Sequence, residues 1–261
     1  MVVVARAPEP RFVMAPDGVP LATYESGDPE APTVLAVHGF ASSASANWYA
    51  TGWVRELVRS GHRVLSFDQR GHGESGKPHD PAAYSMAVLV ADVQTVLDTH
   101  LADGVAYVGY SLGARVGWHT ALEAPHLVEK AVLGGIPDGD PLTRFRVDAA
   151  RRFIADGTPI GDRLTETYLG MASTIPGNDL TALVALVEGM RGGAQPDPAD
   201  PPRVPVLFAT GTEDPILAAS RRLAAAAPQG TFFPIPQRGH FNAPTSREFR
   251  ERALAFLEET G

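Results

Sequence analysis

The chain has 261 residues, 44% of them hydrophobic, no cysteine and a formal charge of −8. That is enough apolar material for one large α/β core, and it excludes a disulfide framework, a thiol nucleophile and a cysteine-ligated metal. The acidic balance disfavours nucleic acid as a partner, no apolar run approaches a membrane span, and Met1 to Pro8 lacks the basic region of a signal peptide, so a cytoplasmic location is expected.

In chain order, Arg11-Phe-Val-Met14 and Leu21-Ala-Thr-Tyr24, separated by Asp17-Gly18, predict an opening β-hairpin. Short apolar runs follow at 33–37, 63–67, 105–108, 131–133, 204–208 and 231–233. They alternate with helical spacings such as Leu89, Val93, Val96 and Leu97. Such alternation predicts an α/β fold, a mostly parallel central sheet with helices on both faces. One interval breaks the rhythm: from about Asp138 to Pro202 there are only helical pieces separated by Gly and Pro, then the stiff run Asp197-Pro-Ala-Asp-Pro-Pro202. The expected organisation is therefore a core of residues 1–137 and 203–261 with a helical cap, 138–202, over the strand ends where ligands bind in such sheets. Tyr168, Met171, Ile175, Leu186 and Met190 are expected as helix-packing core, with an apolar underside to the cap as the alternative. Arg144, Arg146, Arg151 and Arg152 read as a solvated helix face. Thr245-x-x-Glu248 reads as a capping box opening the last helix.

The chemistry starts at Gly109-Tyr110-Ser111-Leu112-Gly113, a G-x-S-x-G pentapeptide directly after the run Val105 to Val108 and directly before a helical segment. A strand turning sharply into a helix exposes the serine hydroxyl at the top of the sheet, and the new helix points its positive N-terminus at it. Ser111 is read as a nucleophile, which needs a base to take its proton.

Four signatures occur together: His38-Gly39-Phe40, Asp68-Gln-Arg-Gly-His-Gly-Glu-Ser75, the Ser111 turn, and the pair Gly211-Thr-Glu-Asp214 and Gly239-His240-Phe241. With them the chain resembles the α/β-hydrolase fold family, of the capped, soluble bacterial type, over nearly its full length. The resemblance implies a Ser-Asp-His order of triad residues. Of eight histidines, His240 alone follows the last predicted strand in a Gly-rich loop, where the family's base resides. His38 and His72 lie inside tight loop motifs, His119 within the helix after Ser111, and His62, His79, His100 and His126 at positions expected to be solvated. Asp214 matches the family's acid, while Asp138 and Asp140, after the preceding strand, remain competitors because some relatives carry the acid there. The resemblance places the oxyanion donors at the backbone N–H groups of Phe40 and Leu112, and it gives Asp68 and Arg70 structural roles as a local pair. It implies no metal and no organic cofactor.

Three readings follow. The first is a serine hydrolase acting on a carboxylic ester of a small to medium apolar acid through an acyl-enzyme. The second keeps the triad but acts on a carbon–carbon bond, lactone, thioester or amide, or performs cofactor-free perhydrolysis; Ala41, where that group often has proline, speaks against the last. The third is a ligand-binding member of the fold. The expected partner is a small-molecule substrate, with no membrane partner and with the oligomeric state left open. Haloalkane dehalogenase and epoxide hydrolase chemistry use aspartate at the position of Ser111 in this family.

Overall fold

Side chains of the central strands divide between two apolar layers, because helices cover both faces of the sheet. In β3 (Thr33–Val37), Leu35 and Val37 join one buried cluster while Val34 and Ala36 join the other, the period-2 split a strand imposes. The computed structural model describes residues 6–259, so residues 1–5 of the opening stretch considered above for a leader lie outside the described residues. β1 (Arg11–Met14) and β2 (Pro20–Ser26) form the antiparallel hairpin, and β2 joins β4 (Arg63–Phe67) antiparallel. β3, β4, β5 (Val105–Tyr110), β6 (Val128–Gly134), β7 (Val206–Gly211) and β8 (Gly230–Ile235) run parallel. The spatial order is β1-β2-β4-β3-β5-β6-β7-β8. α1 (Trp53–Arg59) and α8 (Arg247–Glu258) cover one face; α2 (Met86–Thr99), α3 (Leu112–Glu123) and α7 (Leu217–Ala226) cover the other.

This topology positions the site. The chain leaves β3 toward β4 on one side and returns to β5 on the other, a switch point at which loops part and ligands bind. Val37 pairs with Gly109 and Gly109 with Leu133, so the segments after β3 and β5 emerge side by side. Each apolar run read as a strand falls within one, apart from the first two residues of the run 204–208. β7 starts at Val206 rather than Val204 because Pro205 has no N–H for the ladder; its carbonyl accepts from Ala131 N at 2.9 Å.

The helix behind Ser111 packs unusually close to the sheet. A Cβ at Gly113 would fall 2.1 Å from the Val37 carbonyl oxygen and 2.6 Å from that of His38. Backbone cannot swing aside as a side chain can. Gly113→Ala is therefore expected to cost more than the ~1–3 kcal/mol typical of overpacking, read as a lowered urea midpoint. A midpoint equal to the parent's would contradict that packing.

Between β6 and β7 the chain forms α4 (Val147–Asp156), α5 (Arg163–Thr174) and α6 (Leu180–Met190). The Asp162 and Asp179 carboxylates cap the last two, accepting from Thr165 N at 2.9 Å and Thr181 N at 2.8 Å. Leu186 and Met190 are buried in the core, and the four arginines are exposed, with Arg151 paired to Glu188. The capping-box expectation shifts by one residue. Residues Ala243–Thr245 form a short 3-10 turn, so α8 starts later and Ser246 Oγ accepts from Phe249 N at 3.3 Å.

Candidate active site

Ser111 directly follows β5 and caps α3 with φ 53° and ψ −111°, a left-handed conformation that a side chain rarely adopts. Its surroundings hold it there: Ser111 N donates to Gly134 O at 2.8 Å, and Arg115 N donates to Ser111 O at 3.0 Å. Gly109 is required by the doubling back, since a Cβ there would stand 2.5 Å from Gly113 O. Local strain of this kind concentrates where function needs a side chain presented in a fixed direction.

His240 lies in the turn after β8, and its Nε2 is 2.9 Å from Ser111 Oγ while its Nδ1 is 2.8 Å from Asp214 Oδ2. An ionised carboxylate only accepts, so Nδ1 carries the proton and Nε2 is left to accept from the serine hydroxyl. Asp214 is buried at 4% exposure, and its other oxygen accepts from Ile216 N at 3.1 Å. Asp214 thus faces the imidazole. Asp138 and Asp140 are used elsewhere: Asp138 accepts from Arg222 Nε at 2.6 Å, and Asp140 Oδ1 accepts from Leu142 N at 3.0 Å, capping a short turn. One strut was not legible from motifs. Tyr110, the residue before Ser111, donates from its hydroxyl to the His240 carbonyl at 2.6 Å, tying the serine turn to the histidine loop.

The loop after β3 completes the arrangement. A Cβ on Gly39 would lie 3.3 Å from Ser111 Cβ, so the Gly39–Phe40 turn runs beside the hydroxyl. Leu112 N is the first N–H of α3 and has no intrahelical acceptor, and among the described residues Phe40 N has no acceptor either. Ala41, next in line, has φ 60° and is pinned because its N–H donates to His72 Nε2 at 3.0 Å. His38 does the same for its neighbour, Nε2 accepting from Gln69 N at 3.0 Å while Nδ1 contacts Gly39 O at 2.8 Å. Both imidazoles are therefore neutral struts, as their loop positions suggested. Asn178, from the turn between α5 and α6, adds a tie from above, its Oδ1 accepting from Gly73 N at 2.9 Å.

Burial pushes the His38 imidazole down to about 4 and that of His72 down to about 3, from an ordinary 6.5. The unfolded chain thus binds protons that the folded chain refuses. This stability is fully present above pH ~6.5 and falls by about 1.4 kcal/mol per pH unit per histidine as the pH drops toward the folded values. The urea midpoint is expected to fall steeply between pH 6 and pH 4.5. The slope in His72→Gln should be shallower by about 1.4 kcal/mol per unit; an identical slope would show that His72 is not held neutral.

Two local expectations need correction. Arg70 does not pair with Asp68. Its guanidinium binds Asp92, with Nε–Oδ2 and Nη2–Oδ1 both 2.7 Å, and Asp17, with Nη1–Oδ2 also 2.7 Å. Asp68 instead accepts from Tyr24 Oη at 2.8 Å, Ala44 N at 2.7 Å and Glu74 N at 2.9 Å. The Asp68 carboxylate lies against Gly73, where a Cβ would strike it, so the loop can fold over Asp68 only with glycine there. His100 is not solvated but packs onto β2, its Nε2 3.1 Å from Thr23 Oγ1. His119 lies two turns into α3, in a separate groove with Gln195 and Asp197.

A cleft of about 70 Å³ opens at Ser111 and His240, walled by Phe40, Tyr168, Met171 and Phe241 with Ser42 and Asn47. The rings are in contact: Phe40–Tyr168 centroids are 5.2 Å apart and Tyr168–Phe241 5.4 Å. Burial and the nearby Asp214 carboxylate push the Tyr168 phenol up to about 12, so it presents a neutral hydroxyl. Tyr168 and Met171 are thus part of the cleft wall, whereas Leu186 and Met190 pack internally. Among the described residues no three His, Asp or Glu side chains converge as a metal site, and no helix is long and apolar enough to cross a membrane.

Residues 32–159 match the family model described as alpha/beta hydrolase fold. Epoxide hydrolase A of Mycobacterium tuberculosis is 38% identical over 116 residues, 44% of this chain and 35% of that protein. The chain spans about a third of the length of the curated relatives it matches. The enol-lactonase of Burkholderia xenovorans superposes with TM-score 0.79 at 22% identity, covering 95% of this chain and all of that one. A carboxylesterase structure from Nitrososphaera gargenis superposes with TM-score 0.75 at 15% identity, covering 95% and 97% of the two chains.

Proposed function

Because the chain belongs to the α/β-hydrolase fold family, we propose that it is a serine hydrolase cleaving a carboxylic ester of a small to medium apolar acid. The observation carrying this reading is the continuous hydrogen-bonded line from Asp214 Oδ2 through His240 to Ser111 Oγ. His240 Nε2 takes the Ser111 proton as Oγ attacks the ester carbonyl carbon. The oxyanion formed accepts from the N–H groups of Phe40, which has no acceptor among the described residues, and of Leu112, the first of α3. Collapse breaks the ester C–O bond, His240 returns its proton to the departing alcohol, and Ser111 keeps the acyl group. Water, deprotonated by the same imidazole, then releases the acid. Asp214 holds the ring in the tautomer both steps need and stabilises the imidazolium.

Position 111 also separates this reading from the chemistry named for the epoxide hydrolase relatives. Opening an epoxide in this family begins from an aspartate carboxylate, and here a serine hydroxyl with its own base stands in that place. The helical interval 138–202 acts as a cap that shapes the acyl site through Tyr168 and Met171. With so little room beside Ser111, short acyl chains are expected to react best. Initial rates on p-nitrophenyl esters from acetate to laurate, run beside Ser111→Ala, test this. Serine-dependent turnover declining with chain length is the expected result. Serine-independent rates, or none on any ester by a folded protein, would move the activity to the carbon–carbon, lactone or ligand-binding readings.

A further inference from the structure

One polar side chain in the Ser111 cleft is not accounted for by the triad or the oxyanion donors. Asn47 lines the cleft and is 6% exposed. Its Oδ1 accepts from Gly39 N at 3.4 Å, which fixes the amide's orientation, since a nitrogen in that place would face another donor. Its Nδ2 has no partner among the described residues. Buried polar groups are nearly always paired, and an exception calls for a cause. Nor is the side chain on a loose loop. Residues Ser45–Tyr49 form a π-helical turn, a rare backbone form that recurs at functional sites, and Asn47 N donates to Ser43 O at 2.9 Å.

Phe40 and Leu112 provide for the oxyanion, and the remaining walls are chiefly apolar. We propose that Asn47 Nδ2 donates a hydrogen bond to a second oxygen within the substrate's acyl group. The substrate class is then an ester of a small, otherwise apolar acid that carries an ether, oxo or hydroxyl oxygen close to the scissile carbonyl. This rests on the ester reading above and narrows it. An acyl chain without that oxygen leaves Nδ2 unpaired in the transition state, and a site built to bond a substrate oxygen discriminates against such an analogue.

The test compares p-nitrophenyl methoxyacetate with p-nitrophenyl butyrate, which share a leaving group and chain length and differ by an oxygen in place of a methylene. The ratio of their kcat/KM values is measured in the parent, Asn47→Leu and Asn47→Asp. Intrinsic reactivity cancels when ratios are compared between proteins. Asn47→Asp retains an oxygen for Gly39 N and so remains informative if the leucine variant does not fold. The methoxyacetate-to-butyrate ratio is expected to fall about tenfold in both variants, the size of one hydrogen bond. A ratio unchanged while both rates fall together would overturn the assignment and make Asn47 a prop for the Gly39 loop. Failure of the parent to hydrolyse either ester through Ser111 would instead overturn the ester reading, and this inference with it.

Discussion

Ser111→Ala is expected to lower kcat for ester hydrolysis roughly a millionfold, the scale on which losing a triad nucleophile acts. The expectation follows from where the hydroxyl stands. Its Oγ is 2.9 Å from His240 Nε2, and no other hydroxyl bonds to that nitrogen among the described residues. Ser42 lines the same cleft but is bonded to neither member of the Asp214–His240 pair. Alanine removes one oxygen without disturbing the elbow, because the backbone bond from residue 111 N to Gly134 O is independent of the side chain. Circular dichroism and the urea midpoint should match the parent, with residual catalysis from oxyanion donors and binding alone. Retention of a tenth of the parent rate would remove Ser111 from the mechanism.

Asp214→Asn is expected to lower kcat about ten-thousandfold while leaving KM within a few-fold. The amide can keep the 2.8 Å contact, but it can present a donor where the carboxylate could only accept. His240 would then be steered toward protonation at Nε2, directed at Ser111 Oγ, where it cannot take the serine proton. Because Asp214 is 4% exposed, no water shell softens that exchange. Equivalent substitutions at Asp138 or Asp140 should leave kcat near the parent value, since their carboxylates bond Arg222 and Leu142 N instead. A large loss at either, with little at 214, would reassign the acid.

Much of this architecture is written locally. The strands of the parallel sheet are buried on both faces and so appear as continuous apolar runs, and the serine turn announces itself through Gly109 and Gly113, whose missing side chains the close helix demands. Other features depend on contacts distant in sequence. Arg70 was expected to meet its neighbour Asp68, yet it meets Asp92 and Asp17, 22 and 53 residues away in sequence, while Tyr24, Ala44 and Glu74 occupy the Asp68 carboxylate. His100 appeared to end a helix in solvent, and β2 covers it. The start of α8 moved by one residue because Ala243–Thr245 closes its own turn first. Asn47 sits in no motif, and its significance emerges only when burial and an unpaired Nδ2 are seen together at the cleft. Asn178 follows Pro176-Gly177, a turn signal, but nothing local says that the turn reaches Gly73.

The proposed reaction turns on a covalent bond between Ser111 and the substrate's acyl group. Treating the protein with a small alkyl fluorophosphonate and locating the adduct by peptide mass spectrometry tests it most directly. Stoichiometric phosphonylation of the peptide carrying Ser111, loss of activity in step with labelling, and no adduct in Ser111→Ala are expected. Labelling at a different serine, or full activity in protein modified at Ser111, would contradict it.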